Sequence, residues 1–168
     1  MKTVLRTAVA GLALASFGIS SAASAATATA TAEADIIAAL TVEVDDDNSR
    51  DVLDFGTIAE SGAGGDVTLA PGGVTPNCGS GLVCAGPYNT PRFIITGVSG
   101  SSVDITLTSA NITLTGAGDP MPVALTLSDA TMTLDGTDSF EVGGTLSVNP
   151  GQAAGGYTGS LEVEVVYN

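Results

Sequence analysis

From residue 40 onward, apolar and polar positions alternate with a period of two. Val103, Ile105 and Leu107 alternate with Asp104, Thr106 and Thr108. Val123, Leu125 and Leu127 alternate with Ala124, Thr126 and Ser128, and Leu161, Val163, Val165 and Tyr167 with Glu162, Glu164 and Val166. Residues i and i+2 share one face of a strand, so each apolar set marks a buried side. The intervening Thr, Ser and acidic residues fit antiparallel sheets that meet water on one face. Further strands are predicted over Leu40–Val44, Asp51–Ile58, Asp66–Ala70, Arg92–Thr96, Ile112–Leu114, Thr131–Leu134, Ser139–Val142 and Thr145–Val148. Turn signals separate them: Ser61-Gly62-Ala63-Gly64-Gly65, Pro71-Gly72-Gly73, Asp135-Gly136 and Pro150-Gly151. Many short strands with this punctuation predict an all-β, immunoglobulin-like antiparallel β-sandwich. A weak helical period is confined to the region around Glu33 to Leu40.

The first 25 residues break this pattern. Lys2 and Arg6 precede an apolar run from Ala8 to Ile19, and Ala23-Ser24-Ala25 is a small-x-small site. These are the three parts of a cleaved secretory signal peptide, and the apolar run is short for a membrane span. The expected organisation is a signal over 1–25, an N-terminal extension over 26–39 and a β-sandwich over 40–168. The expected location is secreted or cell-surface, reached through the periplasm, with no transmembrane segment once the signal is removed.

Charge sharpens the picture. All 18 acidic residues lie beyond residue 25, against Arg50 and Arg92 alone. Such a surface repels nucleic acid and anionic membranes, and suits solubility or divalent-cation binding. There is no histidine, and Lys2 is the only lysine. Nucleophile–base pairs therefore lack their usual base. Gly97-Val98-Ser99-Gly100-Ser101 misses the closing glycine of a nucleophile elbow. Asp104, Asp119, Asp129, Asp135, Asp138 and Glu141 offer carboxylates, but nothing singles out a glycosidase pair. No enzyme activity and no cofactor are expected. Absence of tryptophan and shortness of the strands argue against an outer-membrane barrel.

Two sites remain open. Asp45, Asp47 and Asp51 lie in the densest acidic run and could offer oxygens to calcium; the bland alternative is a solvated turn. Arg50 and Gly56 occupy the glycine and glutamate positions of a helix–loop–helix calcium loop, so that motif is not matched. Cys78 and Cys84 bracket a short glycine-bearing loop. A structural disulfide between them is expected, adding roughly 2 kcal/mol by the loop-entropy model. A metal pair would need further ligands, and a redox pair usually has two intervening residues rather than five.

Three stretches form a set: Leu53-Asp54-Phe55-Gly56-Thr57-Ile58, the Cys78–Cys84 loop, and Gly155-Gly156-Tyr157-Thr158-Gly159 leading into the last strand. From about Thr27 to Asn168 the chain resembles the secreted bacterial domain of unknown function 4402, and through it the spore coat protein U-like and archaic chaperone–usher pilin subunits. The resemblance implies an exported structural surface protein, fimbrial or adhesive, assembled by β-strand addition. It implies self-assembly into fibres or a periplasmic chaperone and usher as partners. In the pilin relatives the subunit lacks one strand and a neighbour's N-terminal extension fills the gap; the strand beside it would here be Ser160 to Tyr167, with Leu161, Val163, Val165 and Tyr167 as its assembly face. Ala26 to Ala34 alternates alanine with polar residues, as a donor strand must, and is equally a flexible leader. Ile36, Ala38, Leu40 and Val42 would bury more; they are either the donor or the domain's own first strand. The alternative function is a monomeric secreted or periplasmic module that binds calcium or glycan.

Overall fold

The computed structural model describes residues 26–46 and 50–168. The expected signal peptide and Asp47 lie outside the described residues. Residues 26–35 carry no strand and are exposed throughout. From residue 36 onward the described residues are all-β and antiparallel, with no helix among them.

Among the described residues thirteen strands follow in order: β1 Thr41–Val44, β2 Thr57–Glu60, β3 Gly65–Leu69, β4 Asn77–Cys78, β5 Leu82–Ala85, β6 Arg92–Thr96 and β7 Ser102–Leu107, then β8 Asn111–Gly116, β9 Met121–Leu127, β10 Thr131–Thr133, β11 Thr137–Val148, β12 Tyr157–Thr158 and β13 Val163–Tyr167. The larger sheet runs β1-β6-β11-β9-β8-β12, with β3 on β11 and β4 on β3. A second sheet runs β10-β7-β13, and a third is the pair β2-β5. This is the expected β-sandwich, its core filled by alternate aliphatic residues. Val67, Ile95, Val103, Ile105, Val123 and Val142 are all but inaccessible, and Phe140 stacks on Phe93 with ring centroids 5.2 Å apart.

Two elements differ from the sequence pattern. Ser139–Val142 and Thr145–Val148 read as separate strands because Gly143-Gly144 lies between them. They are one strand, β11. Its first half pairs with β6 (Phe140 opposite Phe93) and its second half with β3 (Leu146 opposite Val67). A Cβ on Gly143 would stand 2.5 Å from the Pro71 nitrogen and press on the Leu69 carbonyl. The glycine therefore admits a crossing backbone where the strand changes partners, rather than ending the strand.

The second difference lies in Asp51–Ile58, where only Thr57 onward forms a strand. Asp54 makes an isolated bridge to Asn89, and its Oδ1 accepts the Gly56 N–H at 2.8 Å. Gly56 has φ 71°, with the Tyr88 ring where a Cβ would be. That left-handed turn stops the extended run, and only glycine adopts it without penalty. The cysteine loop holds two short strands that periodicity did not reveal. Cys78 ends β4 and Cys84 lies in β5, bonded as a disulfide with Cα atoms 6.3 Å apart.

Candidate functional site: an open groove between sheet edges

Directly opposed residues of an antiparallel pair project to the same face. Following the register across the larger sheet gives one lateral row. Ile112 faces Val123, Val123 faces Leu146, Leu146 faces Val67, and Val67 faces Cys78. The disulfide continues the row to Cys84, which faces Ile58 of β2. Ile112, Val123, Leu146 and Ile58 all line one groove of about 1050 Å³. Leu114, Met121 and Val148 extend its apolar floor.

The groove's two flanks are strand edges. One is the stretch from Leu53 through β2; β2 pairs with β5 alone among the described residues. The other is Tyr157 to Leu161, which crosses from the larger sheet into β13. β13 is the end strand of its sheet, paired with β7 on one side only. Val163, Val165 and Tyr167 oppose Leu107, Ile105 and Val103, so they face the core, yet each is only half-buried.

The same partial exposure recurs around the groove. Ile112 and Leu114 point inward but are half-buried. Val42 and Val44 oppose Ile95 and Phe93, both buried, yet stay 37% and 44% exposed. Core-facing apolar side chains left in water cost roughly 25 cal/mol per Å².

The groove offers little chemistry. Its acids are Asp51, Asp54 and Glu60; Asp54 caps Gly56, and Glu60 Oε2 accepts the Gly62 N–H at 2.7 Å. No lysine, arginine or cysteine is among its lining residues. The carboxylates considered for catalysis lie elsewhere. Glu141 pairs with Arg50, Asp138 accepts the Asp135 N–H, and Asp104 accepts from the Asn168 side chain. The structure does not bring Asp45 and Asp51 together as ligands. Asp45 is buried and takes Arg92, whose Nε donates at 2.5 Å, while Asp51 is exposed at the groove. Among the described residues no group of three acids or cysteines could hold a metal.

The candidate donor residues divide. Ile36 is 97% exposed. The Ala38 carbonyl accepts a hydrogen bond from Tyr167, and Leu40 packs on the domain's own core before β1 pairs with β6. Residues 38–44 thus belong to their own domain, and the unpaired stretch ends at Ile37. Sequence reasoning located Leu161 and Leu53–Ile58 but missed the floor. Its residues come from β8, β9 and β11, and only tertiary pairing sets them side by side.

Fold and groove together define a β-sandwich whose core is open along one side. The chain belongs to the family described as Domain of unknown function (DUF4402), whose sequence model matches residues 40–167. No curated protein and no solved structure matches it. Among the described residues no helix is long and apolar enough to cross a membrane.

Proposed function

We propose that this chain is an exported structural subunit of a fimbrial or adhesive surface assembly, and that the groove receives a β-strand from a neighbouring molecule. The observation that carries this reading is the coincidence of two features. An apolar groove leaves Ile112 and Leu114 half-buried on its floor, and it lies between strands that are each paired on one side only. A solvent-exposed edge is a template for strand pairing, and proteins usually blunt or cover it. An added strand would satisfy backbone groups on both flanks and place alternate side chains over the half-buried Ile112 and Leu114.

The supplier in this reading is the N-terminal segment of another copy. Residues 26–37 are exposed and unpaired. Their even positions are Ala26, Ala28, Ala30, Ala32, Ala34 and Ile36, and their odd positions are polar until Ile37. Each alanine methyl contributes about 0.8 kcal/mol on burial, against about 1.5–3 kcal/mol for an isoleucine. Ile36 is therefore the anchor, and backbone pairing along the flanks supplies most of the rest. The contact is head-to-tail, so it propagates into fibres rather than closing. A periplasmic chaperone and usher would be the expected handlers of such an unfilled subunit.

Denaturing gels of purified protein, boiled and unboiled, test the reading. A heat-sensitive ladder that disappears when residues 26–39 are removed is the expected result. A single monomer band for the unboiled, undeleted chain would sink it.

A further inference from the structure

The groove's β2 flank has one hydrogen-bonded neighbour, β5, and β5 carries Cys84 directly opposite Ile58. Cys78 stands opposite Val67, which is wholly inaccessible in the centre of the larger sheet. The disulfide therefore joins the strand partner of groove-lining Ile58 to the strand partner of core residue Val67. It is the covalent corner at which the floor turns into the flank. Noncovalent contacts also hold this corner. Leu82 is buried against Gly65, and the Ser61 N–H donates to the Gly81 carbonyl at 3.0 Å. These lie at the far end of β2, near Glu60. At the Ile58 level the ties to the larger sheet are the packing of Ile58 and Phe55 on the core and one covalent link, the Cys84–Cys78 bond.

We infer that the Cys78–Cys84 bond is a redox lock on the groove: closed, it holds β2 at the spacing that accepts a strand, and open, it releases β2 with β5. The inference rests on the strand-receiving reading above. Closing the bond passes two electrons and two protons from the cysteine thiols to a disulfide-bearing oxidant, which leaves as two thiols. A dithiol reductant reverses the step and itself closes to a ring disulfide. Disulfides persist in oxidising compartments and are rare in the cytosol. The lock thus ties competence for strand uptake to export: the reduced chain keeps its core but lacks one flank of its acceptor. The main sheet does not depend on the bond. Val67, Val123 and Leu146 pair through β3, β11 and β9 whether or not Cys84 is attached.

The test uses the full processed chain in three forms: oxidised, reduced with dithiothreitol and capped with iodoacetamide, and carrying Cys78→Ala with Cys84→Ala. Amide exchange reports the flank, and a labelled synthetic peptide of residues 26–40 reports uptake. In both bond-free forms, exchange at Thr57–Glu60 is expected to quicken by roughly tenfold or more, with β9 and β11 unchanged. Peptide binding is expected to fall by a similar factor. Unchanged exchange in β2, or equal peptide binding with and without the bond, would overturn the lock. So would loss of protection throughout β9 and β11, which would make the bond a general staple. If the oxidised chain binds no peptide while β2 still loosens on reduction, the strand-receiving reading fails and the bond's hold on the flank stands.

Discussion

The hydroxyl of Tyr167, the penultimate residue, donates a hydrogen bond of 3.3 Å to the carbonyl of Ala38, near the start of the sandwich. The same oxygen accepts the Val98 N–H at 3.0 Å, and Gly97 leaves room for it by lacking a Cβ. One side chain thus ties the end of β13 to the point where the N-terminal segment leaves the domain. Tyr167→Phe removes both bonds and strands the Val98 N–H. The expected loss is about 1–2 kcal/mol in urea unfolding, with faster amide exchange at Val98. Unaltered exchange there would show that the hydroxyl does not hold the junction.

The two arginines of the sandwich are predicted to differ in worth. Arg92 serves Asp45, whose side chain is 4% exposed, whereas Arg50 and Glu141 form a wetter pair. Arg92→Ala leaves a carboxylate buried without its cation and should cost about 3 kcal/mol, the lower end for a broken buried pair because Arg92 itself is partly exposed. Arg50→Ala should cost no more than about 1 kcal/mol, and less in high salt. Equal costs in denaturant titrations would contradict this ranking.

A groove-floor position and a core position should separate assembly from stability. Ile112 is half-buried and Phe140 is 1% exposed. Phe140→Ala opens a cavity and is expected to cost about 3–5 kcal/mol. Ile112→Asp removes only a partly buried side chain, so the isolated subunit should lose about 1 kcal/mol. In the strand-receiving reading that same change puts a charge under the incoming strand and abolishes the heat-sensitive ladder. A ladder that survives Ile112→Asp would place the contact elsewhere.

Gly143 and Gly136 offer a backbone test. An alanine at 143 would drive its Cβ into the Pro71 nitrogen and the Leu69 carbonyl, neither of which can rotate away. Gly136 has φ 100° and open space around its Cα. Gly136→Ala should cost about 1–2 kcal/mol from conformation alone. Gly143→Ala should cost more, about 3 kcal/mol, because the β3 end of the sheet must shift to relieve the overlap. Thermal unfolding of the two variants side by side decides it.

Much of the fold was legible from local chemistry, and particular residues explain why. Val103, Ile105 and Leu107 announce an inward face because side chains alternate along any strand, whatever its neighbours. Gly143-Gly144 misled for the converse reason: a double glycine signals a turn locally, and only the crossing backbone at Leu69 and Pro71 shows that space, not flexibility, is its use. Ser160–Tyr167 was recognisable as the strand beside a gap through family resemblance, and Leu53–Ile58 only as one of the motifs that carry it. The floor between them was not.

The sequence by itself determined the class of fold, the buried side of the longer alternating strands, the absence of histidine and the presence of one close cysteine pair. These follow from periodicity and composition, which act over a few residues. Tertiary structure alone decided that Ile112, Val123, Leu146, Val67 and Cys78 form one row, and that the disulfide carries it to Ile58. Such a row is set by pairing between strands far apart in the chain; alternation excludes slips of one residue but leaves the choice of partner and slips of two open until the strands meet.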